Sequence, residues 1–473
     1  VLKDNIACLQ SVLTDLLSQQ KLSKARVRKH THLLAPIRRL PTELLRAIFL
    51  FTVPPRHELL PATYNGFGTR VSPWILTRVC SRWRNIALSF PALWQTIVLP
   101  QTYFEDDSTD DSDADGTTQI YEYPYPLPML QTQLVRSGKA PLHIIIQEDS
   151  QTIGEILPAL VRSSEILVDL VTSCSRWETL EFPNEWWQFF SLFSGKVPLL
   201  RKLQIIFTDG PPFTGPEFNA PSLRDVSLRP YGVTPPLPWA QITRLELEGS
   251  WDEILTVLPP MANLLECYLY VEDSSPPSAD KCAIVPALRK LYLRGTAHTT
   301  IPDNLCLPCL EDLFFTRGPL PASLPLQHSG CQLKRLRFPG LASIEALLKL
   351  FRQFPTITNL ATNMKLGSDD SDSMKNLQDL FSGLLADATL LPDLQRVAIH
   401  VAGIGGPLTC IAELANLIEA RRISVSLGGR RGILNKSHFA AFEKEVGIEV
   451  EADEDAVSAL HSAQTTVSIL VVA

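Results

Sequence analysis

Apolar positions along this 473-residue chain change their period twice. Over residues 1–20, Leu2, Ile6, Leu9, Leu13 and Leu16 follow alternating spacings of four and three, which predicts a helix with a heptad stripe. The stripe is short, and KLSKARVRKH then adds a basic segment. Two readings stay open for residues 1–34: a helix that packs on its own protein, or a short coiled coil with another chain.

Residues 35–99 behave differently. In APIRRLPTELLRAIFLFTV (35–53), Pro41 suits the first turn of a helix and Glu43 suits that end of the dipole. From Leu44 to Val53 the helix is apolar nearly all round, whereas a helix of a small domain normally buries one stripe. A polar, Gly-containing segment (56–70) leads to SPWILTRVCSRWRNIALSFPALW, with Leu76, Val79, Cys80, Trp83, Ile86 and Ala87 at helical spacing. Pro91 ends that helix shortly before Trp94. The whole predicts a small helical module with a marginal core of its own.

Residues 100–130 combine EDDSTDDSDAD with YEYPYPLPM, so charge and proline predict an extended linker. Acidic clusters at 368–372 and 452–455 read as loops for the same reason.

From residue 131 to 473 the period falls to two and repeats. Apolar residues recur at positions one, four and six of a unit, as in Leu200/Leu203/Ile205, Leu223/Val226/Leu228, Leu264/Cys267/Leu269, Leu288/Leu291/Leu293 and Leu310/Leu313/Phe315. Most units are spaced by about 23 residues, and a longer interval before Leu394/Val397/Ile399 marks an insertion around KLGSDDSDSMKNLQDL. Side chains alternate along a strand, so positions four and six of each unit share one face. One unit cannot bury that face alone; stacked units build a continuous core and a parallel sheet.

Composition narrows the classes. A hydrophobic fraction of 45% with no apolar run near ~18 residues predicts a core and no membrane span. The terminal VSILVVA is too short to span and reads as a last strand. Nine scattered cysteines without framework spacing fit a reduced, cytoplasmic or nuclear protein. The chain opens on Val rather than Met, as a trimmed chain would, and no targeting signal is visible in it. The net charge of -7 comes from the acidic run at 105–115, and no basic excess points to nucleic acid.

APIRRLPTELLRAIF followed by VCSRWRNIALSFPALW resembles the F-box module of the large F-box-like families of mushroom-forming fungi. RSGKAPLHI (136–144) and SRWETLEF (175–182) also resemble the segments downstream of the F-box in those families. The later units resemble leucine-rich repeats, although Thr208, Tyr231, Ser250, Glu272, Thr296 and Gly318 stand where an asparagine ladder is typical. The resemblance implies a helical F-box module followed by an irregular α/β leucine-rich-repeat-like solenoid with a concave parallel sheet. It further implies a substrate receptor of a Skp–cullin–F-box ubiquitin ligase, which does no chemistry itself, needs no cofactor, and binds an unknown protein substrate. Carried over residue by residue, the surface for the Skp-family adaptor comprises Leu40, Pro41, Leu44, Leu45, Ile48, Phe49, Val79, Cys80 and Trp83.

Positions three, five and seven of each unit face the concave side. They set Tyr268, Tyr292, Phe314 and Arg337 in one row, with Tyr270, Arg294, Lys290 and Arg335 alongside. Neighbouring strands lie about 4.8 Å apart, so the rings form a column flanked by arginines. Tyr and Arg are favoured at binding hot spots, yet stacked aromatics also stabilise a sheet. Both readings stay open for this surface.

Other motifs carry less. DSDADGTTQIYE (111–122) matches a calcium-loop string through Asp111, Asp113, Asp115, Gly116 and Glu122, but its flanks do not read as helices, so a solvated acidic linker is the reading. Ser108, Thr109 and Ser112 sit among those acids as candidates for phosphorylation. Cys306, Cys309, His328 and Cys331 have zinc-like spacing in two consecutive units, with ordinary semi-buried cysteines as the default. No nucleophile motif, phosphate loop or paired acid and base appears. The alternatives to a ligase receptor are an interaction scaffold with an F-box-like module and a calcium or zinc protein.

Overall fold

A computed structural model describes residues 2–34, 36–54, 67, 70–99, 127–147, 164–183, 187, 190–206, 217–229, 235–271, 278, 281–295, 301–317, 324, 326, 329–339, 344–365, 371–402, 416–417, 420–421, 424–430 and 466–471. The chain divides into two compact units. One holds Val1–Pro100 and Tyr123–Leu142; the other holds Gln101–Glu122 and His143–Ala473. The first unit thus reaches past residue 131, where the sequence pattern placed the start of the repeats.

The first unit contains α1 (Leu2–Leu34), α2 (Thr42–Phe51), α3 (Leu76–Val79), α4 (Ser81–Leu88), β1 (Thr96–Leu99) and α5 (Leu127–Arg136). Pro41 stands just ahead of α2 in extended conformation, where its missing N–H costs nothing. The single helix expected over 76–87 is broken. Cys80 is extended, and its Sγ accepts from Trp83 N at 3.5 Å, so the thiol caps α4. An extended residue cannot continue the helical ladder of α3.

Two tryptophans organise this core. Trp94 is fully buried, donates from Nε1 to Ala87 O at 2.8 Å, and meets Trp74 edge-on at 5.0 Å. Arg136 lies over both rings, 5.0 Å from Trp74 and 4.5 Å from Trp94, and burial pushes its guanidinium pKa down. Gln133 of α5 donates to Thr96 O at 2.7 Å. The RSG of RSGKAPLHI therefore has a local cause. Arg136 stacks, Ser137 is buried, and Gly138 ends α5 at a φ of 54°, which a side chain would strain.

The second unit is a large parallel sheet with helices. Its strands are β2 (Leu142–Ile146), β3 (Trp177–Pro183), β4 (Lys202–Ile206), β5 (Asp225–Arg229), β6 (Arg244–Gly249), β7 (Glu266–Val271), β8 (Ala283–Ile284), β9 (Lys290–Arg294), β10 (Leu305–Cys306), β11 (Asp312–Arg317), β12 (Arg335–Pro339), β13 (Asn359–Lys365), β14 (Arg396–Ala402), β15 (Ser424–Arg430) and β16 (Thr466–Val471). From β3 to β15 the neighbours follow chain order and pair in parallel, with the short β8 and β10 pairing apart from them. The last strand joins β15 antiparallel, so VSILVVA does end the sheet. Among its helices are α6 (Ser164–Ser173), α7 (Trp251–Val257), α8 (Ile344–Gln353) and α9 (Ser371–Ala386).

Register follows the repeat. Leu203, Val226, Leu245, Cys267, Leu291, Leu313, Leu336, Leu360 and Val397 stand side by side at position four, and all are buried. At the β3 end the core is aromatic: Phe190 stacks on Phe182 at 4.3 Å and on Trp187 at 4.7 Å, and lies 4.6 Å from Phe218. The buried Trp177 of SRWETLEF lies 4.8 Å from Phe193.

Of the acidic cluster at 368–372, read as a loop, Ser371 and Asp372 instead open α9, which takes up much of the insertion. Arg421 closes its far end by donating to the carbonyls of Leu384, Asp387, Leu390 and Leu391. One guanidinium fork thereby satisfies acceptors that a helix end leaves open. Ser250, one of the positions lacking asparagine, has a local task too: with Glu253 it forms a capping box for α7.

Candidate interaction surfaces

The first surface belongs to α2. Leu45 and Phe49 are 0% exposed and form the inward face, with Phe49 packed 4.9 Å from Trp83. Both are core residues, so their assignment to an adaptor-contacting surface is corrected. A side chain fully buried in its own module is not available to a partner. Leu44 at 52%, Ile48 at 37% and Phe51 at 90% occupy the opposite face, four and three residues apart. Pro41, Val79 and Cys80 are exposed, while Leu40 and Trp83 are half-buried.

Arg82, which the sequence pattern did not single out, positions the entrance to α2. Its guanidinium donates to Arg38 O and Leu40 O, both at 2.5 Å, and so ties the segment before Pro41 to α4. Only chain folding places this cation there, forty-odd residues downstream. Phe51, the most exposed of these residues, was visible in the sequence as part of the apolar run but without any sign of which face it takes.

The second surface lies on the sheet face opposite the buried rows. Tyr268, Tyr292 and Phe314 are in register on β7, β9 and β11, half-buried, with Arg337 next on β12. Tyr268 and Tyr292 stack at 4.1 Å with planes 4° apart; Tyr292 and Phe314 stack at 4.6 Å and 17°. The column expected from the repeat register is therefore formed. Arg244 covers its open end, 4.8 Å from the Tyr268 ring, and Arg294 lies 5.4 Å from the Tyr270 ring. Burial, and then a hydrogen bond to Tyr292, push the Tyr268 phenol pKa up to about 12.

Beside the column runs a row of alternating charge at position three: Lys202, Asp225, Arg244, Glu266, Lys290, Asp312 and Arg335 on successive strands. Lys202 pairs with Asp225 at 3.6 Å and Lys290 with Glu266 at 2.5 Å. Arg335 makes a two-point contact with Asp312, both distances 2.6 Å, and Asp312 is 2% exposed. That hydrogen bond, above all, raises the Arg335 pKa, and the bond to Glu266 raises that of Lys290. These two cations thus hold the sheet's own acids; they are not unpaired flanks for a ligand. The signal was present in the sequence as one charged residue per unit, and its meaning depends on the register. Arg294 and Arg337 are exposed.

The row continues to neutral groups at its start. His143 Nδ1 lies 2.9 Å from Thr179 Oγ1, and burial lowers the His143 pKa against the opposing pull of Glu178. Earlier strands close the same face, where Glu181, Gln204 and Ser227 are buried.

Cys306 and Cys331 are near enough that the Cys306 thiol helps raise the Cys331 pKa, after burial. Among the described residues no group of three or more His, Cys, Asp or Glu is placed to hold a metal. His328 and the calcium-loop string at 111–122 lie outside the described residues, as do Ser108, Thr109 and Ser112. No described helix is long and apolar enough to cross a membrane. No family model matches the chain, and no curated protein matches it.

Proposed function

We propose that this chain is the substrate-recognition subunit of a Skp–cullin–F-box ubiquitin ligase. In this reading the first unit is an F-box module and the second a leucine-rich-repeat-like solenoid. The concave side of that solenoid is the face bearing the aromatic column. The observation that carries the proposal is the two-faced α2: Leu45 and Phe49 fill the module, and Leu44, Ile48 and Phe51 remain in water. An apolar helix face on a small helical unit matches the uncharged centre of a stable protein interface. The residues resembling the F-box motif that stay accessible are Leu40, Pro41, Leu44, Ile48, Val79, Cys80 and Trp83. The substrate surface comprises Tyr268, Tyr270, Tyr292, Arg294, Phe314 and Arg337, with Arg335 fixed in its pair with Asp312.

Co-expression with a Skp-family adaptor, followed by affinity purification and size analysis, tests this. A stoichiometric complex is expected. Ile48→Asp combined with Phe51→Asp should abolish it while leaving the melting curve of the chain unchanged. Failure of the unaltered chain to hold the adaptor, or a complex indifferent to both substitutions, would sink the reading. A complex that forms but recruits no cullin would leave only an interaction scaffold.

A further inference from the structure

The apolar stripe of α1 is left in water. Its described large apolar residues are exposed from 49% at Val12 to 68% at Leu9, with Ile6, Leu13, Leu16 and Leu17 between. Scattered surface leucines are ordinary, but six such residues within about 18 Å of one helix form a contiguous patch of the kind that marks an interface. Of the two sequence readings, packing on the same chain is not what the described residues show.

We infer that α1 pairs with α1 of a second copy of this chain, antiparallel, along residues 2–20. Heptad register places Ile6 and Leu13 at one core position and Leu9 and Leu16 at the other. In an antiparallel pair centred near residue 11, Ile6 faces Leu16 of the copy and Leu9 faces Leu13. The reciprocal contacts repeat across the two-fold axis. These central layers are then apolar on both sides, which is the self-complementarity a two-fold interface demands. On the flanks Val12 meets its own copy, and Gln10 meets its own copy. No like charges face one another.

Charge decides the direction. Lys21, Lys24, Arg26, Arg28 and Lys29 form the rest of the helix. A parallel pair would hold two such segments side by side, inside a screening length of about 10 Å at 0.1 M salt. An antiparallel pair sends them past opposite ends, about 40 Å apart at 1.5 Å per residue. The same basic segments make an extension of the parallel heptads unfavourable beyond Leu16, where Gln20 and Ser23 already replace apolar core residues.

Sedimentation of the full chain over a dilution series is the first measurement, and a reversible monomer–dimer equilibrium is expected. Leu13→Glu should raise the dimer dissociation constant at least about 30-fold, the size of a hot-spot loss. The far-ultraviolet spectrum of the chain should not change, because Leu13 is outside the core. Oxidation of Val12→Cys should give a 12-to-12 cross-link, mapped by mass spectrometry; Val27→Cys, which faces its copy only in a parallel pair, should not cross-link. A monomer across the series, a dimer indifferent to Leu13→Glu, or cross-linking at 27 instead of 12 would each overturn the inference. So would capture of a different protein on the stripe by a chain that stays monomeric.

Discussion

The outward face of α2 and the aromatic column of the sheet both show apolar side chains to solvent, but they do so in different ways. Phe51 stands 90% exposed, whereas Tyr292 is sandwiched between Tyr268 and Phe314. The charges near the column are likewise engaged, Lys290 with Glu266 and Arg335 with Asp312. The first surface therefore adds little to the stability of the free chain. The second already contributes to it. Composition alone would rank the two together; the exposure and the neighbours of each ring separate them.

The sharpest way to break that contrast is to mutate both faces of α2. Phe49→Ala should destabilise the first unit by about 3–5 kcal/mol in denaturant titration, as a large buried ring does. Phe51→Ala should change stability by less than about 0.5 kcal/mol. Equal effects would mean that the two faces are not distinct.

On the sheet, the next largest effect is expected at Asp312. Its carboxylate is buried and charge-paired, so Asp312→Ala should cost about 1.5–3 kcal/mol. Lys334→Ala, which removes the more exposed partner of Glu311, should cost at most about 1 kcal/mol. Tyr292→Ala removes two stacked contacts and should cost about 1–3 kcal/mol beyond its area. A double-mutant cycle with Phe314→Ala would report the coupling. Additive losses would show that the column is a coincidence of register.

The smallest effect concerns pH. The folded pKa of His143 lies below its ordinary value, so its contribution is present above about pH 6.5 and is lost as pH falls through the folded pKa. Stability of the chain should slope downward on acidification, and His143→Asn should flatten that slope. An unchanged slope would mean that burial of the His143 ring does not disfavour its charged form.

Much of the second unit was legible because a strand has period two and the unit repeats. One register assigns the strands from β3 to β14 apart from the short β8 and β10, so the buried rows and the Tyr268–Tyr292–Phe314 column could be read one residue at a time. The alternating charges of position three were also written there. They look like scattered surface residues until neighbouring strands set Lys290 beside Glu266 and Arg335 beside Asp312. Helix α9 was missed because its acidic start imitates a loop, and the carbonyl cap that closes it comes from Arg421. Cys80 sits at helical spacing, so its extended backbone left no mark in the pattern.

By itself, then, the sequence determined what periodicity can encode: the parallel sheet, its inward rows, the order of its strands and the apolar excess of α2. Tertiary structure alone decided which side of α2 faces the core. An all-round apolar helix carries no directional stripe, and the choice falls to the partners that packing brings to it, Trp83 beside Phe49 and Arg82 at its entrance. The same holds for the charges, since attraction depends on distances between strands and those distances exist only once the sheet has formed.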